Sequence, residues 1–87
     1  MFLDEFKQVL SNIFEKDARI KYFEMYNNEP GHFIEIIVYW RLPNKASYES
    51  SLRISYVEYE NTPANVMIKN TFDRLQRDFE KTILGVD

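Results

Sequence analysis

The segment His32–Leu42, His-Phe-Ile-Glu-Ile-Ile-Val-Tyr-Trp-Arg-Leu, constrains this chain more than any other. It is dense in β-branched and aromatic residues and is bounded by Pro30-Gly31 on one side and Pro43-Asn44 on the other, which marks a strand. Side chains along a strand alternate between its two faces. One face therefore carries Ile34, Ile36, Val38, Trp40 and Leu42 and belongs to a core. The other carries Phe33, Glu35, Ile37, Tyr39 and Arg41, a mixture of apolar, aromatic and charged groups. The first face demands a cover, and the second is where a functional argument begins.

Flanking segments supply neighbours for this strand. Arg19–Tyr26 reads as a first strand, with Ile20 and Tyr22 on one face and Lys21, Phe23 and Met25 on the other. Asn27-Asn28-Glu29-Pro30-Gly31 forms the turn between them, since Pro presets φ while Gly and Asn tolerate the left-handed region. Pro43–Ser47 makes the next turn and Tyr48–Glu60 a third strand. In the second hairpin, setting Leu42 opposite Tyr48 brings Val38 to Leu52, Ile36 to Ile54 and Arg41 to Glu49. Ile37 then meets Arg53, Glu35 meets Ser55, and no like charges are opposed. A slip of one residue would mix core and solvent faces, whereas a slip of two is compatible with the same pattern.

Helical spacing appears at both ends of the chain. Phe2, Phe6, Val9, Leu10, Ile13 and Phe14 form an apolar stripe over a helix from about residue 3 to 16, with Asp4 and Glu5 near the positive end of its dipole. Thr62-Pro63 resembles a helix start, with Thr62 as cap and Pro63 in the first turn. Ile68, Phe72, Leu75, Phe79 and Ile83 mark one face of the helix that follows, and Gly85 sits where helices stop.

The fold expected is α+β: a two-layer α-β-β-β-α arrangement of residues 1–87 as one domain, a three-stranded antiparallel meander with both helices on the Ile34/Ile36/Val38/Trp40 face. That leaves the opposite face of the sheet uncovered. A chain of 87 residues buries about 60–65% of its unfolded surface. Its 45% hydrophobic and 16% aromatic content is enough for a folded core without staples, and it has no cysteine.

Several function classes lose support at this stage. Thiolate catalysis and Cys-ligated zinc need cysteines. A Ser nucleophile wants a positioned base, and the one histidine, His32, follows a turn without a recognisable partner. Two glycines cannot build a Gly-rich phosphate loop. Glu58 and Glu60 share a face if the third strand reaches them, and with Glu24 nearby they leave a metal ion open as a question. Glu5-Phe6-Lys7 resembles part of a nuclease motif but lies in the first helix with no acid strand before it. No catalytic residue, cofactor or metal site is expected, and the chain is read as a non-enzyme.

The acidic start of the chain does not resemble a signal peptide, and no apolar run is long enough to span a membrane, so a cytoplasmic, membrane-free protein is expected. The net charge is −3. Residues 1–31 carry six acids and four bases, residues 32–60 four and three, and residues 61–87 four and four, so no basic tail singles out nucleic acid.

The uncovered face is then the candidate site, read as a protein-binding surface of Phe23, Met25, Phe33, Ile37, Tyr39, Arg41, Arg53, Val57 and Tyr59. Apolar and aromatic residues rimmed by Tyr and Arg have the make-up of contact hot spots. The partner is a second copy, through this face or a free strand edge, or another protein that the chain regulates or inhibits. The alternative is nucleic acid, stacked on aromatics and held by Arg41 and Arg53. The element order is similar to that of double-stranded-RNA-binding domains. Those domains present a Lys-rich start to their second helix, whereas Thr62–Lys69 carries one base, so the likeness is one of order alone.

Overall fold

The computed structural model describes residues 2–85. The chain forms helix α1 (Leu3–Glu15), strands β1 (Ile20–Asn28), β2 (Phe33–Arg41) and β3 (Ser47–Ser55), a short helix α2 (Tyr56–Asn61) and helix α3 (Ala64–Phe79). A π-helical turn, Glu80–Leu84, extends α3 and ends at Gly85 in the left-handed conformation (φ 69°). The strands make one antiparallel sheet in the order β1-β2-β3. The α+β meander expected from the sequence is therefore present, with one further helix after the third strand.

Both long helices cover the same side. Phe6, Leu10 and Phe14 of α1 and Met67, Leu75 and Phe79 of α3 join Ile34, Ile36, Val38, Trp40, Leu52 and Ile54 in one buried cluster. Thr71, also buried, turns its hydroxyl back onto the Met67 carbonyl at 2.7 Å, so a polar residue enters the core at no unsatisfied cost. Met67 and Thr71 thus belong to the inner face of α3, while Ile83 stays 37% exposed.

Trp40 anchors the middle of this core. Its side chain is fully buried, its ring stacks on Phe79 at 4.4 Å and 8°, and its indole N–H donates to Ser50 Oγ at 3.0 Å. Arg19 closes the outer end, with its guanidinium 5.3 Å from the Trp40 ring centre and bonds to Asp17 and Gln76. Arg19 therefore caps the covered layer and does not join the open face.

Three features depart from the sequence expectation. First, β1 contains an irregularity between Ile20 and Tyr22: Ile20 pairs with Trp40, but Tyr22 pairs with Tyr39 and Phe23 with Val38. The inserted residue, Lys21, exchanges the faces of everything after it. A regular strand with Ile20 inward would also turn Glu24 inward, and an unpaired carboxylate in the core is far costlier than a bulge. Second, β2 and β3 pair two residues away from the expected register. Phe33 opposes Ser55, Glu35 opposes Arg53, Val38 opposes Ser50 and Tyr39 opposes Glu49. The small Ser50 is thereby placed beside the bulky indole. Third, β3 stops at Ser55, whose hydroxyl accepts the Glu58 N–H at 3.1 Å and starts α2. Ser-x-x-Glu is a helix-start signature, and here it outweighs the alternating pattern of Tyr56–Glu60. Thr62 consequently ends α2, and Pro63 stands at the start of α3 without a side-chain cap.

The turns are also specific. In the first hairpin the left-handed residue is His32 (φ 56°), not Gly31, and in the second it is Lys45 (φ 66°). Gly31 is required for closeness: a Cβ there would press into the edge of the Phe33 ring.

Replacing Ser50 by alanine leaves the buried indole N–H without its acceptor. We expect Ser50→Ala to lose about 1–3 kcal/mol of stability, measured by urea unfolding followed through the fluorescence of Trp40.

Candidate functional site

The face of the sheet away from the helices is organised in cross-strand rows. Tyr26, Glu35 and Arg53 make one row, Glu24, Ile37 and Ser51 the next, and Tyr22, Tyr39 and Glu49 a third. Phe33 lies at one end beside Asn28 and Ser55, and Arg41 lies at the other beside Ser47. Alternation places these side chains together on the uncovered side.

Tyrosines arranged around one carboxylate dominate the β1 half. Tyr39 donates its hydroxyl to Glu24 Oε1 at 2.7 Å, and Tyr26 donates to Glu24 Oε2. The rings of Tyr22 and Tyr39 stack at 4.4 Å and 21°. The two hydroxyl donors, Tyr26 first and Tyr39 second, hold the Glu24 carboxyl below its ordinary 4.5. The same bond raises Tyr39 well above the ordinary 10.0, with desolvation adding to it, and raises Tyr26 in the same way. The result is a wall of aromatic rings with fixed hydroxyls around an ionised centre.

Beside it, Arg53 Nε lies 3.2 Å from Glu35 Oε2, and its guanidinium carbon stands 4.7 Å from the Phe33 ring centre. The pair is open to solvent, with Arg53 68% exposed, so its worth lies in orienting Arg53 over the ring more than in stability. The outer strand β3 contributes only Ser47, Glu49, Ser51, Arg53 and Ser55 to this face, all exposed.

Five of the residues expected at the site therefore share the open face: Phe33, Ile37, Tyr39, Arg41 and Arg53. Phe23 and Met25 do not. Past the β1 bulge they face the helices, pair with Val38 and Ile36 and pack against the core, with Phe23 meeting Phe14 edge-on at 4.9 Å. Val57 and Tyr59 do not either, because α2 replaces the strand on which they were placed. Val57 is 69% exposed on that helix, and Tyr59 packs edge-on to Phe6 at 5.4 Å. Burial, with the Glu5 charge behind it, raises the Tyr59 hydroxyl. The residues missed were Tyr22, Glu24 and Tyr26. The signal for them was the Tyr-x-Glu-x-Tyr alternation against apolar Phe23 and Met25, which assigns the polar-tipped set to solvent.

The acids considered for a metal ion are dispersed. Glu24 is in the tyrosine cluster, whereas Glu58 lies on α2, 3.5 Å from Arg74. Among the described residues no group of three or more His, Cys, Asp or Glu side chains is placed to hold a metal ion.

A concavity of about 720 Å³ lies at the end of the sheet, lined among others by Phe2, His32, Tyr56, Tyr59 and Glu60. Phe2 is 79% exposed beside it, and His32 stacks on Tyr56 at 5.7 Å. Among the described residues no helix is long and apolar enough to cross a membrane. Compared with family models, with curated proteins and with solved structures, the chain finds no match.

The Glu24 cluster has a definite pH signature. A carboxylate whose folded value is depressed contributes stability above its ordinary 4.5 and loses it as pH falls through the lower folded value. In an NMR titration of the side-chain carboxyl carbon, Glu24 is expected to titrate below its ordinary 4.5. Tyr39→Phe should move it back towards 4.5, since one of its two donors is gone.

Proposed function

We propose that this chain is a non-catalytic protein-association domain that binds a partner protein over its open sheet face. The observation that carries this reading is the Tyr22–Tyr39 stack with Tyr26 and Glu24, left without a cover beside Phe33, Ile37 and an Arg53 already oriented over a ring. Tyrosine offers large rigid contact area with a polar tip and little entropy to lose, and Tyr and Arg are the residue types over-represented among contact hot spots. Preorganised hydroxyls reduce the ordering cost of binding further. The regulatory or inhibitory role, and the cytoplasm as its place, are parts of this proposal; a cysteine-free chain is compatible with a reducing compartment.

Charge weighs against the nucleic-acid alternative. Across the face Glu24, Glu35 and Glu49 oppose Arg41 and Arg53, Arg53 is already engaged with Glu35, and Glu24 is held ionised. Phosphate binding depends on an excess of Lys and Arg that can release counterions.

The test is cross-linked capture from the native host with the wild-type domain and with Tyr39→Ala. A specific protein retained by the first and bound at least about tenfold more weakly by the second supports the reading. Equal capture by both would remove the open face from the interaction. Salt-sensitive binding to single- or double-stranded probes would favour the nucleic-acid alternative instead.

A further inference from the structure

The edge of β3 has a property separate from the open face. Tyr56 N–H donates to the His32 carbonyl at 2.9 Å, and Leu42 N–H donates to the Ala46 carbonyl at 3.1 Å. With Phe33 opposite Ser55 and Arg41 opposite Ser47, those two bonds flank the end pairs of the hairpin from outside. Both end pairs are therefore of the non-hydrogen-bonded kind, and alternation extends this to Glu35/Arg53, Ile37/Ser51 and Tyr39/Glu49. The main-chain N–H and C=O groups of Ser47, Glu49, Ser51 and Arg53 consequently point away from β2, toward a free edge. All of these residues are exposed.

We propose that β3 pairs antiparallel with β3 of a second copy of this chain, about a twofold axis through Ser51. The sequence along the exposed positions is Ser47, Glu49, Ser51, Arg53, Ser55, which is self-complementary about its centre. In this register Glu49 of each copy stands opposite Arg53 of the other, Ser47 stands opposite Ser55, and Ser51 meets itself. An axis through Glu49 or Arg53 would oppose like charges, and an axis through Ser50 or Leu52 would leave both charges opposite serine. Only the Ser51 register opposes unlike charges within β3. It also brings outward-pointing residues of both copies together, so the pairs at Ser51 and at Glu49/Arg53 each close two main-chain hydrogen bonds. Glu49 has no ion-pair partner among the described residues, and Arg53, which meets Glu35 through Nε, is still 68% exposed and can take a second carboxylate.

The other edge is a poorer template. β1 is interrupted by the bulge at Lys21, and bulges and lysines are devices that blunt edges, whereas β3 runs nine residues without bulge, Pro or Gly. Pairing at β3 sets the two open faces side by side on one six-stranded sheet. It also brings the two α3 helices alongside each other on the covered side, where Asp78 of α3 and Thr82 of the π-helical turn that extends it meet the Tyr48 hydroxyl of β3.

Sedimentation equilibrium at tens of micromolar tests the proposal together with single cysteines, since the chain has none of its own. The wild type should have the mass of two chains. Ser51→Cys should cross-link efficiently with a short thiol-reactive linker, while Ser47→Cys, whose two copies would lie about 27 Å apart, should not. Ser51→Pro removes an outward N–H without touching the β2 ladder, and Glu49→Arg opposes like charges. Both should be monomers with native Trp40 fluorescence. A monomeric wild type, equal cross-linking at positions 47 and 51, or a dimer that survives Ser51→Pro would each overturn the proposal. A dimer lost only with Tyr39→Ala would likewise overturn it, and would assign self-association to the open face.

Discussion

Trp40 is the interaction on which the structure depends. Its ring lies flat on Phe79 and its N–H reaches Ser50, so one side chain ties β2 to β3 and to α3. An indole this deeply buried must find an acceptor, and the register of the second hairpin meets that need. With Val38 opposite Ser50, the smallest core-side residue of β3 lies diagonally beside Trp40, and Tyr48 stands opposite it at the edge. A bulkier residue at that position would compete with the ring for space, and a residue without an acceptor would strand the donor. Packing and hydrogen bonding thus select the same alignment.

From that alignment the open face follows. The register that serves Trp40 also sets Glu35 against Arg53 and Tyr39 against Glu49, although neither pair touches the core. On the other side of β2 the bulge at Lys21 performs a second sorting. It admits Phe23 and Met25 to the core and sends Tyr22, Glu24 and Tyr26 out to meet Tyr39. The tyrosine cluster around Glu24 is therefore a consequence of core demands on both hairpins.

How much of this was legible from residue order varied with the kind of signal. The strand order, the positions of the two long helices and the covered face of β2 were readable because long periodic patterns are redundant: changing one residue in Phe6, Leu10, Phe14 or in Ile34, Ile36, Val38, Trp40 leaves the period intact. The faces of β1 were not, because one inserted residue inverts a period-two pattern and Ile20 alone pointed the wrong way. Glu24 was the better guide, since a carboxylate is excluded from a core more strictly than an isoleucine is required in one. The end of β3 was misread for a related reason. Tyr56, Val57 and Tyr59 have strand propensity, yet the cap formed by Ser55 and Glu58 turns the chain, and a specific local hydrogen bond outweighs a diffuse preference.

The two-residue slip in the second hairpin has a different character, because charge pattern and hydrophobic pattern permitted both alignments. What separates them is geometry in the turn and at Trp40. Lys45 adopts a left-handed conformation, and the Leu42 N–H bonds to Ala46, which closes the loop one residue pair earlier than Leu42 opposite Tyr48 would. That closure determines which residue of β3 stands opposite each residue of β2, while either alignment leaves the same β3 residues with outward main-chain groups. The free edge therefore keeps its Ser-Glu-Ser-Arg-Ser lettering in either alignment, whereas the pairing of Glu35 with Arg53 and of Tyr39 with Glu49 comes from the turn. In a sheet this small, the constraint that seats the central tryptophan reaches the open face through one turn.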